Sequence, residues 1–210
     1  MAGYEELATA VQRGDYTGTK NLIQALLDEG NSPDEIIQKG IVVALDVVGK
    51  QFSVGECFIP EMLVAAKASQ KGLDILNPLL VKTQFKPKGT VVIGTVRGDL
   101  HDIGKNIVAM MLKGSGFHVI DLGFDVAPEK FVNALETEKA QILAMSCLLT
   151  TTMISMENAM DALRKAGLYG RVKVMIGGPP TTDDFAKEIG ADFRGKDAYE
   201  AVEQAKRFVS

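Results

Sequence analysis

Tryptophan is absent from this chain, and aromatic residues together make up only 6% of it, which argues against the stacking platforms on which nucleobases are bound. Basic residues are in deficit as well. The 23 Lys and Arg stand against 27 Asp and Glu, a formal charge of −4, so no basic stripe is available to neutralise phosphates and no nucleic-acid partner is expected. Cysteine is scarce: Cys57 and Cys147, far apart, supply neither a disulfide framework nor a zinc-ligand spacing, and a reducing compartment fits. Long apolar runs are missing, each being broken by Gly, Lys or Asp well before a membrane-spanning length. The start, MAGYEELATAVQRGDY, is polar and amphipathic rather than signal-like. A cytoplasmic protein with no membrane partner is expected. The remainder is ordinary for a globular chain, 46% apolar and 24% charged over 210 residues, with room for one large domain or two modest ones.

The two parts of the sequence follow different periodicities. Residues 1–85 contain no convincing strand. Leu7, Ala8 and Val11 share one helical face, and Leu22, Ile23, Leu26 and Leu27 repeat the spacing. Ser32-Pro33-Asp34-Glu35 then offers a capping serine, a proline at the first helical position and a glutamate placed to close a capping box. The helix that follows carries Ile36, Ile37, Ile41, Val42, Ala44, Leu45 and Val48. After a turn at Val54-Gly55, Pro60 opens a fourth helix through Met62, Leu63, Ala66, Leu73 and Leu76 to about Leu80. Four amphipathic helices with short connections predict a four-helix bundle.

From about Lys86 the pattern changes. The β-rich runs 90–96, 118–123, 141–147 and 173–178, with a weaker one at 191–195, alternate with amphipathic segments near 103–115, 128–139, 153–166, 182–190 and 197–209. Strands apolar on both faces that alternate with helices predict an α/β domain over 86–210, a doubly wound, five-stranded parallel sheet of Rossmann-like or flavodoxin-like type. Ligands of such sheets sit at the carboxyl ends of the strands, near the switch in strand order. The loops after the strands are therefore where chemistry is to be sought.

The first of these loops reads Arg97-Gly98-Asp99-Leu100-His101-Asp102-Ile103-Gly104. It contains neither a dinucleotide nor a P-loop glycine pattern. It offers instead an imidazole flanked by carboxylates. A neutral histidine ligates late first-row metals through one ring nitrogen, and Asp99 could accept a hydrogen bond from the other, fixing the tautomer. One histidine cannot hold a bare ion, and His118, the only other, opens the second strand. A metal already chelated in a macrocycle needs just one protein ligand. Equally, His101 could be a polar loop residue that caps the next helix. The third strand ends in Ser146-Cys147-Leu148-Leu149-Thr150-Thr151-Thr152, more hydroxyls than one helix cap needs, so some could meet a polar ligand or Asp99. The fourth ends in Ile176-Gly177-Gly178-Pro179-Pro180, either a simple turn or a place of close backbone approach to a bulky ligand.

Taken together, these loops resemble the cobalamin-binding module of methionine synthase and of the corrinoid proteins that serve methanol, methylamine and O-demethylase systems. The family signature is D-x-H-x-x-G, then S-x-L, then G-G. Here it is matched by Asp99-Leu100-His101-Asp102-Ile103-Gly104, Ser146-Cys147-Leu148 and Gly177-Gly178, in order and at strand ends, within the close match GTVRGDLHDIGKNIV. The helical part also resembles the family's cap domain, GECFIPEMLVAAK being similar to its last helix, so the likeness covers nearly the whole chain.

The resemblance implies a bound cobalamin or related corrinoid, with His101 as lower axial ligand of cobalt in place of the nucleotide base. It implies a relay from His101 through Asp99 to a hydroxyl six residues beyond Ser146, where this chain has Thr152 and the best-known member has serine. Ser146, Leu148 and Thr150 would line the pocket of the displaced nucleotide tail. Gly104 would leave space beside it and Gly177 and Gly178 would let it pass, with Gly98, Asp102 and Ile103 completing the loop around the ligand. Phe58 matches an aromatic that shields the upper cobalt face. Met62, one turn on, is a weaker addition that ordinary bundle core would explain equally well.

The implied role is that of a methyl-carrying subunit of anaerobic one-carbon metabolism rather than a complete enzyme. Methylcobalamin would be its loaded state. Its partners would be a substrate-specific methyltransferase, a second methyltransferase passing the methyl to an acceptor such as tetrahydrofolate or coenzyme M, and a reductive activator. The linker 81–89, with Lys82, Lys86, Pro87, Lys88 and Gly89, suits a solvated hinge on which the bundle swings aside. Three rivals share parts of the pattern. The small subunit of an adenosylcobalamin-dependent mutase ordinarily lacks the 85-residue bundle. A B12-dependent sensor would need a DNA-binding module, and no basic recognition helix is visible. A phosphate-receiving signalling domain would need an aspartate after the third strand, where Ser146 stands.

Overall fold

The computed structural model describes residues 3–80 and 87–210. Most of the expected hinge, residues 81–86 with Lys82 and Lys86, lies outside the described residues. Two compact units are formed, Met1–Pro87 together with Met110–Gly116, and Lys88–Ala109 together with Phe117–Ser210.

In the first unit, helices α1 (Tyr4–Gln12) and α2 (Tyr16–Asp28) bury the faces expected from their spacing, through Leu7, Ala8 and Val11, and through Ile23 and Leu26. Asp15 caps α2 by accepting from the Gly18 amide at 2.8 Å. Ser32 caps α3 (Pro33–Ile36), accepting from the Glu35 amide at 3.2 Å. Glu35 reaches back to Ser32 as the expected capping box requires, to its backbone N–H and, through Oε2, to its hydroxyl at 3.2 Å, while Oε1 takes Lys39 one turn on at 2.8 Å.

From α3 the backbone continues without a break through a π-helical segment (Ile37–Val42) into α4 (Val43–Ser53). The periodicity did not announce that segment. Gly40 within it faces α1, and a Cβ there would run into the Leu7 side chain. With α5 (Ile59–Leu80) these make the four helical rods that the spacing implied. They meet in a core of Leu7, Ile23, Leu26, Ile36, Ile41 and Leu76.

The second unit alternates β1 (Thr90–Thr95), α6 (Ile103–Gly114), β2 (His118–Asp121), α7 (Pro128–Thr137), β3 (Ile142–Ser146), α8 (Met153–Lys165), β4 (Lys173–Gly177), α9 (Asp183–Ile189), β5 (Phe193–Gly195) and α10 (Ala198–Val209). All strand pairs are parallel and the order is β2-β1-β3-β4-β5. The chain therefore reverses its direction of travel across the sheet at β1, and the switch point lies between β1 and β3. Right-handed crossovers place α7, α8 and α9 on one face and α6 on the other.

The register separates the two faces. Val92, Leu143, Val174 and their i+2 neighbours Met145 and Ile176 join Phe131, Leu135, Met156, Met160 and Phe185 in one core. On that face Gly94 makes room for α7, because a Cβ would stand 2.8 Å from the Phe131 ring. Val91, Ile93, Ala144 and Met175 point the other way and are buried too. Strands covered on both sides explain the continuous apolar runs of the sequence.

Candidate functional site

The site grows from the end of β1. Gly98, at φ +84°, turns the chain in the left-handed region, and Asp99 comes to lie with no solvent-accessible surface at the switch point. A bare carboxylate there would be costly, but this one has five donors. Its Oδ1 accepts from the His101 amide at 3.0 Å and from His101 Nδ1 at 2.8 Å. Its Oδ2 accepts from the amides of Leu148 and Leu149, at 2.7 and 3.2 Å, and from the Thr152 hydroxyl at 2.9 Å. Burial by itself pushes the Asp99 carboxyl up. The hydrogen bonds from Leu148, from the amide and ring of His101 and from Thr152 outweigh it and hold the group well below the usual carboxylate range.

An ionised carboxylate can only accept, so the proton between the two rests on His101 Nδ1. Nε2 then carries a lone pair, on a ring whose side chain is 53% exposed. That is what a single metal–imidazole bond requires.

Other groups hold the loop. Thr95 Oγ1 donates to the His101 carbonyl at 3.0 Å. Asp125, in the loop after β2, accepts from the Gly98 amide at 2.8 Å and donates its own amide to the Asp99 carbonyl at 3.1 Å. It does so at φ +53°, a conformation rare outside glycine. Asp102, next to His101, accepts from Asn106 Nδ2 at 3.0 Å. Ile103 is 70% exposed and opens α6.

After β3, residues Thr150–Thr152 form a 3-10 turn that runs into α8. One of these threonines was expected to cap α8, and none does so through its side chain. Thr152 is spent on Asp99 and on the Leu149 carbonyl, 2.8 Å away. Thr150 and Leu148 are exposed, and Ser146 Oγ has no hydrogen-bond partner among the described residues. Burial raises the neighbouring Cys147 thiol to about 11, helped by the Asp99 charge, which leaves it unreactive.

The two glycines after β4 differ in kind. A Cβ on Gly177 would meet only the Gly195 carbonyl, at 3.5 Å, so this position is open on its own face. Gly178, at φ +120°, is required by the protein itself, since a Cβ there would collide with the Cys147 carbonyl. The fold thus demands glycine here on its own account, beside the expected role of making way for a ligand. Gly104 has nothing within 4 Å of where a Cβ would stand.

Register puts Thr95, Ser146, Gly177 and Gly195 side by side across four strands on the face opposite α7–α9. Sequence reading missed Thr95 and Gly195 in this row of small side chains. Pairing Gly195 with Gly177 needed the short β5 to be placed in register, which no local signal provides. It also missed the apolar rim, Leu100, Phe124 and Leu149, exposed at 65, 53 and 40% on three loops at the same end of the sheet. A flat, largely apolar macrocycle bearing one open metal position fits these features: an outward imidazole lone pair, an apolar rim, a small-residue row that includes Gly177, and open space at Gly104.

His118 lies at the amino end of β2 and is not brought to this site. In the helical unit, Phe58 is 67% exposed ahead of α5, with its amide held by Glu61 at 2.7 Å. Met62 is 1% exposed, as bundle core, and has no surface to offer a ligand. No helix among the described residues is long and apolar enough to cross a membrane.

Comparison with known proteins defines the class. Residues 89–203 match the family of B12 binding domains, and residues 4–77 match a second family of the same description. The trimethylamine corrinoid protein 2 of Methanosarcina mazei is 41% identical, over 98% of this chain and 97% of that one. Among solved structures, the methanol:cobalamin methyltransferase complex of Methanosarcina barkeri superposes with a TM-score of 0.88 at 30% identity, over 98% of this chain and 79% of that one. A cobalamin-binding protein of Desulfitobacterium hafniense gives 0.83 at 31% identity, over the whole of both chains. This chain belongs to the B12-binding corrinoid proteins of methyltransferase systems.

Proposed function

We propose that the protein carries a methyl group on a corrinoid held base-off, with His101 Nε2 as the lower axial ligand of cobalt. The observation that carries this reading is the Asp99–His101 contact of 2.8 Å beneath an outward-facing imidazole. A bound corrinoid supplies a cobalt centre that accepts a methyl group from one partner and yields it to another. The chain's own residues do the rest. Asp99 keeps the proton on Nδ1, so that Nε2 would be the atom offered to the metal. Thr152 and the amides of Leu148 and Leu149 keep that carboxylate ionised. Gly98, Asp102 and Ile103 shape the loop under the macrocycle. Ser146, Leu148, Thr150, Gly104, Gly177 and Gly178 receive the displaced nucleotide tail.

The partners are a substrate-specific methyltransferase and a second one serving the acceptor. A relative named for trimethylamine and a solved complex named for methanol are both similar over almost the whole chain. Donor choice is accordingly assigned to the partner enzyme and not to the carrier.

The test is reconstitution with hydroxocobalamin followed by reduction to Co(II). The wild-type paramagnetic spectrum should show splitting from one axial nitrogen, altered by 15N-labelled histidine, and His101→Ala should lose it while the chain stays folded. A wild-type splitting that 15N-labelled histidine leaves unaltered removes the ligand from its assigned place.

A further inference from the structure

Beneath the loop that bears His101 lies a charged residue which the methyl-carrier reading leaves without a role. Lys105, in the first turn of α6, has 1% of its side chain exposed. All three of its ammonium protons are placed: 2.6 and 2.7 Å to the two oxygens of Asp121, and 2.7 Å to Asn106 Oδ1. A buried ion pair is weak as a source of stability, since apolar side chains of similar volume often do as well or better. What it can provide is a fixed arrangement.

The bonds around it form a circuit through the His101 loop. Asn106 Nδ2 donates to Asp102 at 3.0 Å and so reaches the residue after His101. On the other side Asp121 accepts from the Gly123 amide at 2.9 Å, and the Gly123 carbonyl accepts from the Thr95 amide at 2.9 Å. The Thr95 hydroxyl then donates to the carbonyl of His101 itself, at 3.0 Å. The carbonyl of His101 and the residue that follows it are thus both tied to one buried ammonium group. Asp99 fixes the ring from one direction only.

We infer that Lys105, acting through Asn106–Asp102 and through Asp121–Gly123–Thr95, is a positioning residue that sets the aim of His101 and so the strength of its bond to the corrinoid cobalt. This inference rests on His101 being that ligand. The loop supplies a mounting held at two points, and a ligand held within a few tenths of an ångström of its working position keeps more of its bond energy than one that must be ordered on binding.

The readout is displacement of the axial histidine from Co(III) by cyanide, followed in the visible spectrum of hydroxocobalamin-loaded protein. Its midpoint reports the strength of the protein–cobalt bond even when that bond is fully formed. Asn106→Ala severs the link to Asp102 and leaves the ion pair in place. It should lower the cyanide midpoint about three- to tenfold, the scale of one hydrogen-bonded link, with the corrinoid still bound and the unfolding temperature close to wild type. Lys105→Met should lower it more than about tenfold, because both ties are lost. A purely structural role would lower the unfolding temperature and leave the midpoint unmoved. An unchanged midpoint in Asn106→Ala overturns the inference, whether or not Lys105→Met folds. If wild type and His101→Ala respond to cyanide alike, the ligand assignment is what fails. If they differ and the Asn106 variant matches wild type, only the role of Lys105 falls.

Discussion

Replacing Asp99 by asparagine exchanges one oxygen acceptor for an amide donor at a group that serves five donors. Two orientations of the new amide are open. With its nitrogen toward Leu148 and Leu149, two backbone N–H groups lose their acceptor, and Thr152 falls back on the Leu149 carbonyl that it already reaches at 2.8 Å. With its nitrogen toward His101, only the His101 amide is orphaned, because the ring can change tautomer and accept through Nδ1. A buried N–H left unsatisfied costs about 1–3 kcal/mol, so the second orientation is preferred by roughly that amount, about tenfold or more in population. The tautomer it enforces carries its proton on Nε2, the atom meant to bind the metal.

Asp99→Asn should therefore destabilise the corrinoid-free protein by about 2–4 kcal/mol in denaturant melts, given one orphaned amide and the loss of charge-assisted bonds. It should also remove most of the axial-nitrogen splitting in the Co(II) spectrum while His101 is still present. A variant that keeps the full splitting would refute the tautomer argument. One that keeps wild-type stability would show that the five donors are satisfied some other way.

Two further outcomes follow from the same geometry. The folded-state pKa of Asp99 is depressed, so its contribution to stability is fully present above the unfolded value of about 3.9 and is lost as the pH falls below that toward the folded value. In denaturant melts of corrinoid-free protein, the gap between wild type and Asp99→Asn should hold from pH 7 to about 5 and shrink below about pH 4; a gap unchanged at the lowest pH would contradict this. The glycines should separate as well. Gly104→Leu, with nothing within 4 Å, should leave the corrinoid-free melt unchanged and weaken corrinoid binding, whereas Gly178→Ala should cost more than about 2 kcal/mol with no ligand present, because its Cβ meets the Cys147 carbonyl. Equal melts for these two variants would count against the distinction.

Much of this arrangement was legible in the sequence because its signals are local. The strands stand out as apolar on both faces, the helices by their spacing, and His101 and Asp99 lie two residues apart on one loop. Thr152 was reachable through its offset from Ser146, though not the turning of its hydroxyl away from the amides of α8, which it caps by position alone, to a carboxylate 53 residues away. Asp125 and Lys105 were not legible. The one looks like any turn aspartate and the other like a solvated lysine in a helix, until the fold sets Gly98 and Asp121 beside them. The Gly177-Gly178 pair read as one motif, but only register and backbone proximity show that its two members answer different demands.

The π-helical segment Ile37–Val42 gives the helical unit one residue of slack. Such a segment holds one residue more than an α-helix needs for the same span, so removing one there would relax it to an α-helix and leave Leu45 and Val48 in the interior and Val47 outward. The same loss further on, within α4, would turn every later position by about 100°. Asp46 would then arrive where Leu45 now lies buried. Descendants of this sequence can shorten between Ile37 and Val42 and keep the core beyond it, but a shorter count inside α4 puts a carboxylate in the oil.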